Sequence, residues 1–379
     1  RRCGAANWKR STRYPDCSGL QRMTHPKAIV ALALAALLPA TLRAQPAAAE
    51  PAAHPLQGTE ITADQQRAVE RGLAALAGKQ ARDGSFGSRE QRHAGITSLC
   101  AMAFMQSGNL PGRGRYGPQV EKALSFVLAS AQESGLIASD NYSPPMYGHG
   151  FATLFLAEVY GMTGDERVKE KLQKAVKLIQ KSQNVEGGWR YQPSPQDADL
   201  SVTICQIMAL RASRDAGIKV EKEVIDRAID YVRKCQNADG GFSYQAGQNG
   251  FGGTGGSGFG RTAAGLASLY YAGISQGKEI DSALKYMLKY RPGNARGGDV
   301  EGHYYYAQYY AVQAMFLAGG SNWTNWYPAI RKQLIDRQSK TTGLWSGDQN
   351  DEYATAMALL VLQMPNRYLP VYSGKGPGS

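Results

Sequence analysis

Three histidines, one arginine and two pairs of acids carry the strongest chemical potential in this chain: His93, His149, Asp197 with Asp199, Arg261, His303, and Asp351 with Glu352. They recur about once every fifty residues, each just ahead of an apolar stretch, a placement that scattered residues would not readily give. Carboxyl and imidazole groups move protons, and a guanidinium meets an anionic group. The same polar types also suit helix starts, because they cap unpaired backbone amides. Asp199 and Ser201 make a serviceable N-cap region in their own right. Both roles are open from the residues alone.

The elements that carry these residues repeat. An amphipathic segment ends in Gln, a Gly-containing turn with an aromatic or large apolar residue follows, and a more uniformly apolar segment comes next. The markers are Gln80 (Asp83 to Phe86), Gln132 (Gly135-Leu136), Gln183 (Gly187-Gly188-Trp189), Gln236 (Asp239 to Phe242) and Gln338 (Gly343-Leu344-Trp345). Their spacings are 52, 51, 53 and 102 residues, the last being two periods. Near Lys289 the turn Tyr290-Arg291-Pro292-Gly293 keeps the Gly and loses the Gln. The chain from Thr62 therefore holds six repeats of about 51 residues.

Each period predicts two helices. The first, as in Arg167 to Gln183, has apolar residues at helical spacing (Val168, Leu172, Ala175, Val176, Ile179) with Lys and Glu between them, the pattern of a helix wet on one face. The second, as in Phe151 to Ala157 or Ser201 to Leu210, is apolar nearly all round and must be buried on most sides. Six such hairpins need an inner and an outer layer. A closed double ring supplies both without the polar end caps of an open superhelix, and is the preferred expectation.

The Gln-x3-Gly-Gly-Trp segment from Gln183 to Trp189, with its degenerate copies, resembles the QW-type repeat of squalene-hopene cyclases, oxidosqualene cyclases and protein prenyltransferase β subunits. The resemblance spans about Thr62 to Gln363 and implies an all-α fold, an α6/α6 toroid. It also implies that Gln183, Trp189, Phe242 and Trp345 tie neighbouring helices together. Asp197-Ala198-Asp199-Leu200-Ser201-Val202-Thr203 resembles the Asp-x-Asp-Asp-Thr-Ala motif of class II terpene cyclases. By that likeness Asp199 would be the acid that protonates an alkene and Asp197 its partner. Leu200 stands where the family has its third acid. A helix N-terminus favours the ionised carboxyl, whereas a second carboxylate and an apolar cavity favour the neutral one.

Other expectations follow. The inner segments offer aromatic faces for a cation, among them Phe151, Phe155, Tyr304, Tyr305, Tyr306, Tyr309 and Tyr310, a wall rich in hydroxyls that suits polar ligands equally. His93, His149, Arg261, His303, Tyr304 and Glu352 are expected around the mouth of a central cavity. The stretch Gly260 to Tyr270 looks like the prenyltransferase β-subunit segment, but Ala267, Leu269 and Ala354 replace all three zinc ligands, so that zinc site is excluded. No cofactor is expected. The run Gly247 to Gly260 lacks a phosphate-loop signature and is expected to be a loop over the rim.

Charge and composition limit the partners. The net charge is +12, but the first 44 residues hold eight Lys/Arg and one acid, which leaves 35 bases against 30 acids with no basic block. Nucleic acid is rejected as the leading partner. Met23, Lys27, the apolar run Ala28 to Leu38 and the close at Ala44 make a secretory signal, and export to the periplasm or beyond is expected. An Ala/Pro-rich linker should run over 45–61, the toroid over 62–366 and a tail over 367–379. Cys100, Cys205 and Cys235 follow no disulfide or zinc spacing and should be buried small apolar residues. Two functions compete: an isoprenoid- or lipid-processing enzyme with Asp199 as acid and possible peripheral membrane contact, and a non-catalytic module that binds a lipid, glycan or partner. A glycan-acting enzyme using Asp199 with Glu352 is a third.

Overall fold

The computed structural model describes residues 60–372 except 89–90, 140–143, 248–254, 295–302 and 348. The expected signal segment, most of the linker, residues 373–379 and the middle of the Gly247 to Gly260 run lie outside the described residues.

Among the described residues twelve α-helices alternate between two layers. The outer layer comprises α1 (Ala63–Ala77), α3 (Gly117–Ala129), α5 (Glu166–Ser182), α7 (Lys222–Lys234), α9 (Lys278–Leu288) and α11 (Gly320–Arg337). The inner layer comprises α2 (Ala94–Met105), α4 (Pro145–Thr163), α6 (Leu200–Asp215), α8 (Phe259–Tyr271), α10 (Tyr304–Ala318) and α12 (Asp351–Leu362). Each inner helix packs on the next, and α12 packs back on α2, which closes the ring. A two-residue hairpin, β1 (Gly87–Ser88) with β2 (Gln91–Arg92), is the one strand pair among the described residues.

The periodic turns are the fasteners. Gln183 Nε2 donates to the carbonyl of Gly187 in its own turn and to Val224 O on α7, both at 2.8 Å, while its Oε1 accepts from Arg227. Trp189 is fully buried; its indole N–H donates to Ile179 O at 2.7 Å and its backbone N–H to Thr203 Oγ1 of α6 at 3.0 Å. One turn thus joins its own outer helix, the next outer helix and its own inner helix. Gln80, Gln236 and Gln338 repeat the double donation, to Gln119 O, Glu279 O and Ala68 O of the following outer helix. Thr97, Thr262 and Thr355 repeat the inner-helix acceptor. Because Ala68 lies on α1, the last Gln joins the last repeat to the first. Gly187 must be glycine here: its φ is 102° and a Cβ would stand 2.0 Å from Arg227 O.

The outer helices bury the stripe their spacing predicts, Val168, Leu172, Ala175, Val176 and Ile179 on α5. The inner helices are buried from the second turn onward: Thr97–Met105, Gly148–Val159, Val202–Ser213, Thr262–Tyr271, Ala307–Phe316 and Ala354–Leu362. Cys100, Cys205 and Cys235 are buried free thiols, as expected.

The ring does not keep the open centre expected of it. Tyrosines of α10 cross the middle to helices that are not its neighbours. Tyr306 donates to Ser201 O of α6 at 2.9 Å, Tyr310 lies 3.3 Å from Cys205 Sγ, and the Tyr309 ring packs edge-on against Phe151 of α4. The far end is closed by residues 369–372, which were expected to be tail. Leu369, Val371 and Tyr372 are buried, the Tyr309 and Tyr372 hydroxyls are 2.9 Å apart, and Val371 N–H donates to Glu158 at 3.3 Å. Glu60, ahead of α1, is built in at the same end, accepting from Trp323 Nε1 at 2.6 Å and lying 3.5 Å from Arg367.

Replacing Gln338 by Ala leaves two carbonyls and Arg71 without their partner at the seam. We expect a loss of about 2 kcal/mol in urea unfolding, the cost of buried groups left unsatisfied. A loss within error would show that the seam is held by packing alone. Burial pushes the Glu158 carboxyl up to about 8. The native state therefore holds a proton that the unfolded chain releases near its ordinary value of 4.5. That stabilisation is complete below the lower value and is lost as pH rises toward the upper. Glu158→Gln should flatten this dependence, so that its stability relative to wild type rises by roughly 3 kcal/mol between pH 5 and pH 8. Parallel pH curves for the two proteins would refute it.

Candidate functional site

Asp199 is the N-cap of α6, with extended backbone (φ −138°, ψ 158°), and its Oδ1 accepts from Val202 N–H at 2.9 Å. Its own N–H donates to Trp189 O at 2.9 Å, and Leu200 N–H donates to Tyr244 O at 2.9 Å. The residue is therefore pinned between two consecutive fastener turns. It has no exposed surface, and its Oδ2 accepts no hydrogen bond of good geometry. Arg190 Nε, likewise buried and unpaired, stands 3.8 Å from that oxygen. The rest of the guanidinium turns outward and pairs with Asp197.

The electrostatics follow from this arrangement. Burial drives the Asp199 carboxyl up to about 6, and the Val202 amide, the Tyr244 hydroxyl and Arg190 oppose the rise. The second carboxylate expected to raise it is not what acts, because Asp197 is engaged by Arg190. Asp199 thus changes protonation near neutrality, where a proton donor or acceptor is of most use. Leu200, at the place of the resembled family's third acid, is fully buried as the first core residue of α6.

Four tyrosines surround the acid pair, all half-buried: Tyr147, Tyr191, Tyr244 and Tyr306. The Tyr191 and Tyr244 hydroxyls are 2.6 Å apart, and Tyr147 and Tyr191 rings pack at 6.2 Å. Arg190 lies over both Tyr191 and Tyr244 at 5.0 and 5.9 Å. Burial and the Asp199 charge hold the Tyr244 phenol well above its ordinary range, so it remains a donor. Sequence reading missed Arg190, Tyr191 and Tyr244. The register contained them: Tyr191 and Tyr244 each stand two residues past the aromatic fastener in consecutive repeats.

The other expected site residues are not gathered here. His93 caps α2, its Nδ1 accepting from Gly95 and Ile96 amides at 3.1 and 3.4 Å. It borders a hollow of about 10 Å³ with Ser139 and Pro145, room for about one water. His149 is not at a helix start, because α4 begins at Pro145 and places it in the second turn. It is fully buried, accepts from Ile137 N–H at 3.1 Å, and burial lowers it to about 4, so it is a neutral packing group and not a mouth residue. Tyr304 points outward: its hydroxyl donates to Gln333 on α11 and Arg337 covers its ring. Arg261 donates to Gly256 O at 3.1 Å and makes no observed contact with Asp199 among the described residues. His303 is an exposed residue at the α10 N-cap, and Glu352 is half-buried in the first turn of α12. Among the described residues no group of three or more His, Cys, Asp or Glu could hold a metal ion, and no helix is long and apolar enough to cross a membrane.

All inner helices start at one rim, and their half-exposed residues near it include Ile96, Tyr147, Ser201, Arg261, Tyr306 and Tyr353. The open part of the ring is thus a shallow cup, with Asp199 set into its wall. A closed α6/α6 double ring of helices defines the α-α toroid class. The chain belongs to the prenyltransferase alpha-alpha toroid domain family, whose profile matches residues 119–368. No curated protein sequence matches it. Solved structures share the fold. The α-1,6-mannanase GH76A of Salegentibacter sp. HEL1_6, as an inactive variant with α-1,6-mannotriose, superposes with a TM-score of 0.62 at 10% identity, over 80% of this chain and 99% of that one. The type II terpene cyclase MstE from Scytonema, with its product merosterolic acid A, gives 0.54 at 15% identity over 81% and 98%. The cellobiose 2-epimerase from Spirochaeta thermophila gives 0.59 at 14% identity over 80% and 97%. At these identities the likeness is one of fold.

Removing the guanidinium that faces Asp199 should let its pKa rise further. In Arg190→Gln we expect an upward shift of roughly one unit, read from the carboxyl carbon by NMR titration, since an opposite charge within about 4 Å favours the ionised form. An unchanged titration would mean that the interaction with Arg190 is fully screened.

Proposed function

We propose that this toroid acts on a small molecule held in the cup at the N-terminal mouth of its inner ring, with Asp199 donating and accepting the proton. One observation carries the reading. A fully buried carboxyl with one unsatisfied oxygen, poised to titrate near pH 6, lies directly beside the open rim. An N-cap needs only Oδ1, and the second oxygen faces Arg190 Nε at 3.8 Å without a hydrogen bond of good geometry. Membership of the family and the fold shared with a type II terpene cyclase support the isoprenoid or lipid-like class of ligand, with Asp199 as the acid and Asp197 holding Arg190 in place. The fold shared with a mannanase and a sugar epimerase supports a polar ligand equally. Export, with possible peripheral membrane contact, belongs to the same proposal and rests on the segment from Met23 to Ala44.

A non-catalytic binding module is the second reading. It is favoured by the same Arg190–Asp197 pair, which already neutralises one of the two acids, and by the solid ring centre, which leaves no deep chamber among the described residues.

Asp199→Asn tests the choice, because Asn keeps an Oδ1 cap acceptor and cannot deliver the proton. With wild type and variant at equal Tm, incubated with isoprenoids and saccharides and followed by mass spectrometry, we expect turnover to fall by roughly 100-fold or more, the usual worth of a general acid. Turnover that is unchanged would remove Asp199 from the chemistry. Saturable binding by a wild type that converts nothing would establish the second reading.

A further inference from the structure

We propose that the occupant of the mouth is a compact polyhydroxylated molecule, of a sugar's size and polarity, and not a long isoprenoid. This inference rests on the reading of the mouth as the functional site. Depth is the first argument. A long hydrocarbon binds by burying most of its surface in a cavity of several hundred Å³. Any such chamber inside the ring would expose the inner faces of the inner helices. From the second turn onward those faces are buried, and Phe155, Tyr309 and Tyr310 have no exposed surface. The tyrosines of α10 span the ring to α4 and α6, and Leu369, Val371 and Tyr372 seal the far end. Only about one turn of depth is open.

The lining is the second argument. On one side of the cup stand the half-buried rings of Tyr147, Tyr191, Tyr244 and Tyr306, with Arg190 and Asp197 partly exposed at 30% and 47%. Flat aromatic faces suit the C–H face of a pyranose, and phenol, guanidinium and carboxylate groups suit its hydroxyls. The unsatisfied pair decides between ligand classes. Asp199 Oδ2 and Arg190 Nε are buried, face each other at 3.8 Å and make no hydrogen bond of good geometry. Neither atom has exposed surface, so a ligand hydroxyl must displace the side chains over them before it donates to the carboxyl oxygen and accepts from the guanidinium N–H. A hydrocarbon over the same spot offers neither group a partner.

Isothermal titration on the full chain at pH 7 distinguishes the classes, with glucose, mannose, cellobiose and maltose as saccharide probes and geranylgeraniol in detergent micelles as the isoprenoid. We expect saturable binding of at least one saccharide, weakened about tenfold or more in Arg190→Met and severalfold in Tyr244→Phe, and no saturable binding of geranylgeraniol. Saturable geranylgeraniol binding without any saccharide binding overturns the proposal. So does binding of no probe, and so does saccharide binding that Arg190→Met leaves unchanged. Its failure is separable from that of the catalytic reading. If no saccharide binds while Asp199→Asn still abolishes turnover of another compound, only the ligand class falls. If a saccharide binds and Asp199→Asn leaves its turnover intact, only the role of Asp199 falls.

Discussion

The glutamine side chain that ends an outer helix does the work on which this ring depends. An inner helix that is apolar on every side cannot persist in water until it is surrounded, and a hairpin of one wet and one dry helix surrounds only part of it. The amide of Gln183 reaches its own turn and the next outer helix at once, and the adjacent Trp189 joins the inner helix through Thr203. The same double donation recurs at Gln80, Gln236 and Gln338. Gln338 completes it by reaching α1, so the sequence of hairpins ends where it began. Closure removes the two exposed apolar ends that an open stack would have to cap.

The same geometry makes the rim. Each inner helix follows a fastener turn, so all six begin at one end of the ring, and unpaired amides there call for polar residues. Asp199 answers that demand with one oxygen and keeps the other. Its location between two fastener turns, those of Trp189 and Phe242, accounts for its burial, and burial accounts for its raised pKa. A structural requirement of the fold and a chemical capability therefore sit on one carboxyl group.

The centre of the ring is governed by α10. Its run of tyrosines is long enough to cross the ring, and buried phenols need hydrogen-bond partners that only the opposite helices and Tyr372 supply. This fills the centre of the ring with packed side chains from the second turn of the inner helices onward. The price is a set of buried ionisable groups, Glu158 among them, whose protonation is tied to the packing of residues 369–372.

Much of the fold was legible in the sequence because its signals are local and repeated. The Gln and Gly-aromatic spacing, the striped outer helices and the uniformly apolar inner ones predicted twelve helices in two layers and favoured closure, and the family resemblance assigned Gln183, Trp189 and Trp345 to structure. Asp199 was legible as a candidate for the same reason, standing at a helix start beside a second acid. What tertiary structure alone decided depends on contacts between distant repeats. It placed His149 one turn inside α4 and Tyr304 against the outer layer, turned Asp197 away onto Arg190, and brought Tyr244 to Asp199 from 45 residues later. It also filled the centre, because whether six apolar helices enclose a chamber or a packed core is set by side-chain length across the ring. Spacing along the chain determines periodicity; only the closed ring determines which side chains meet.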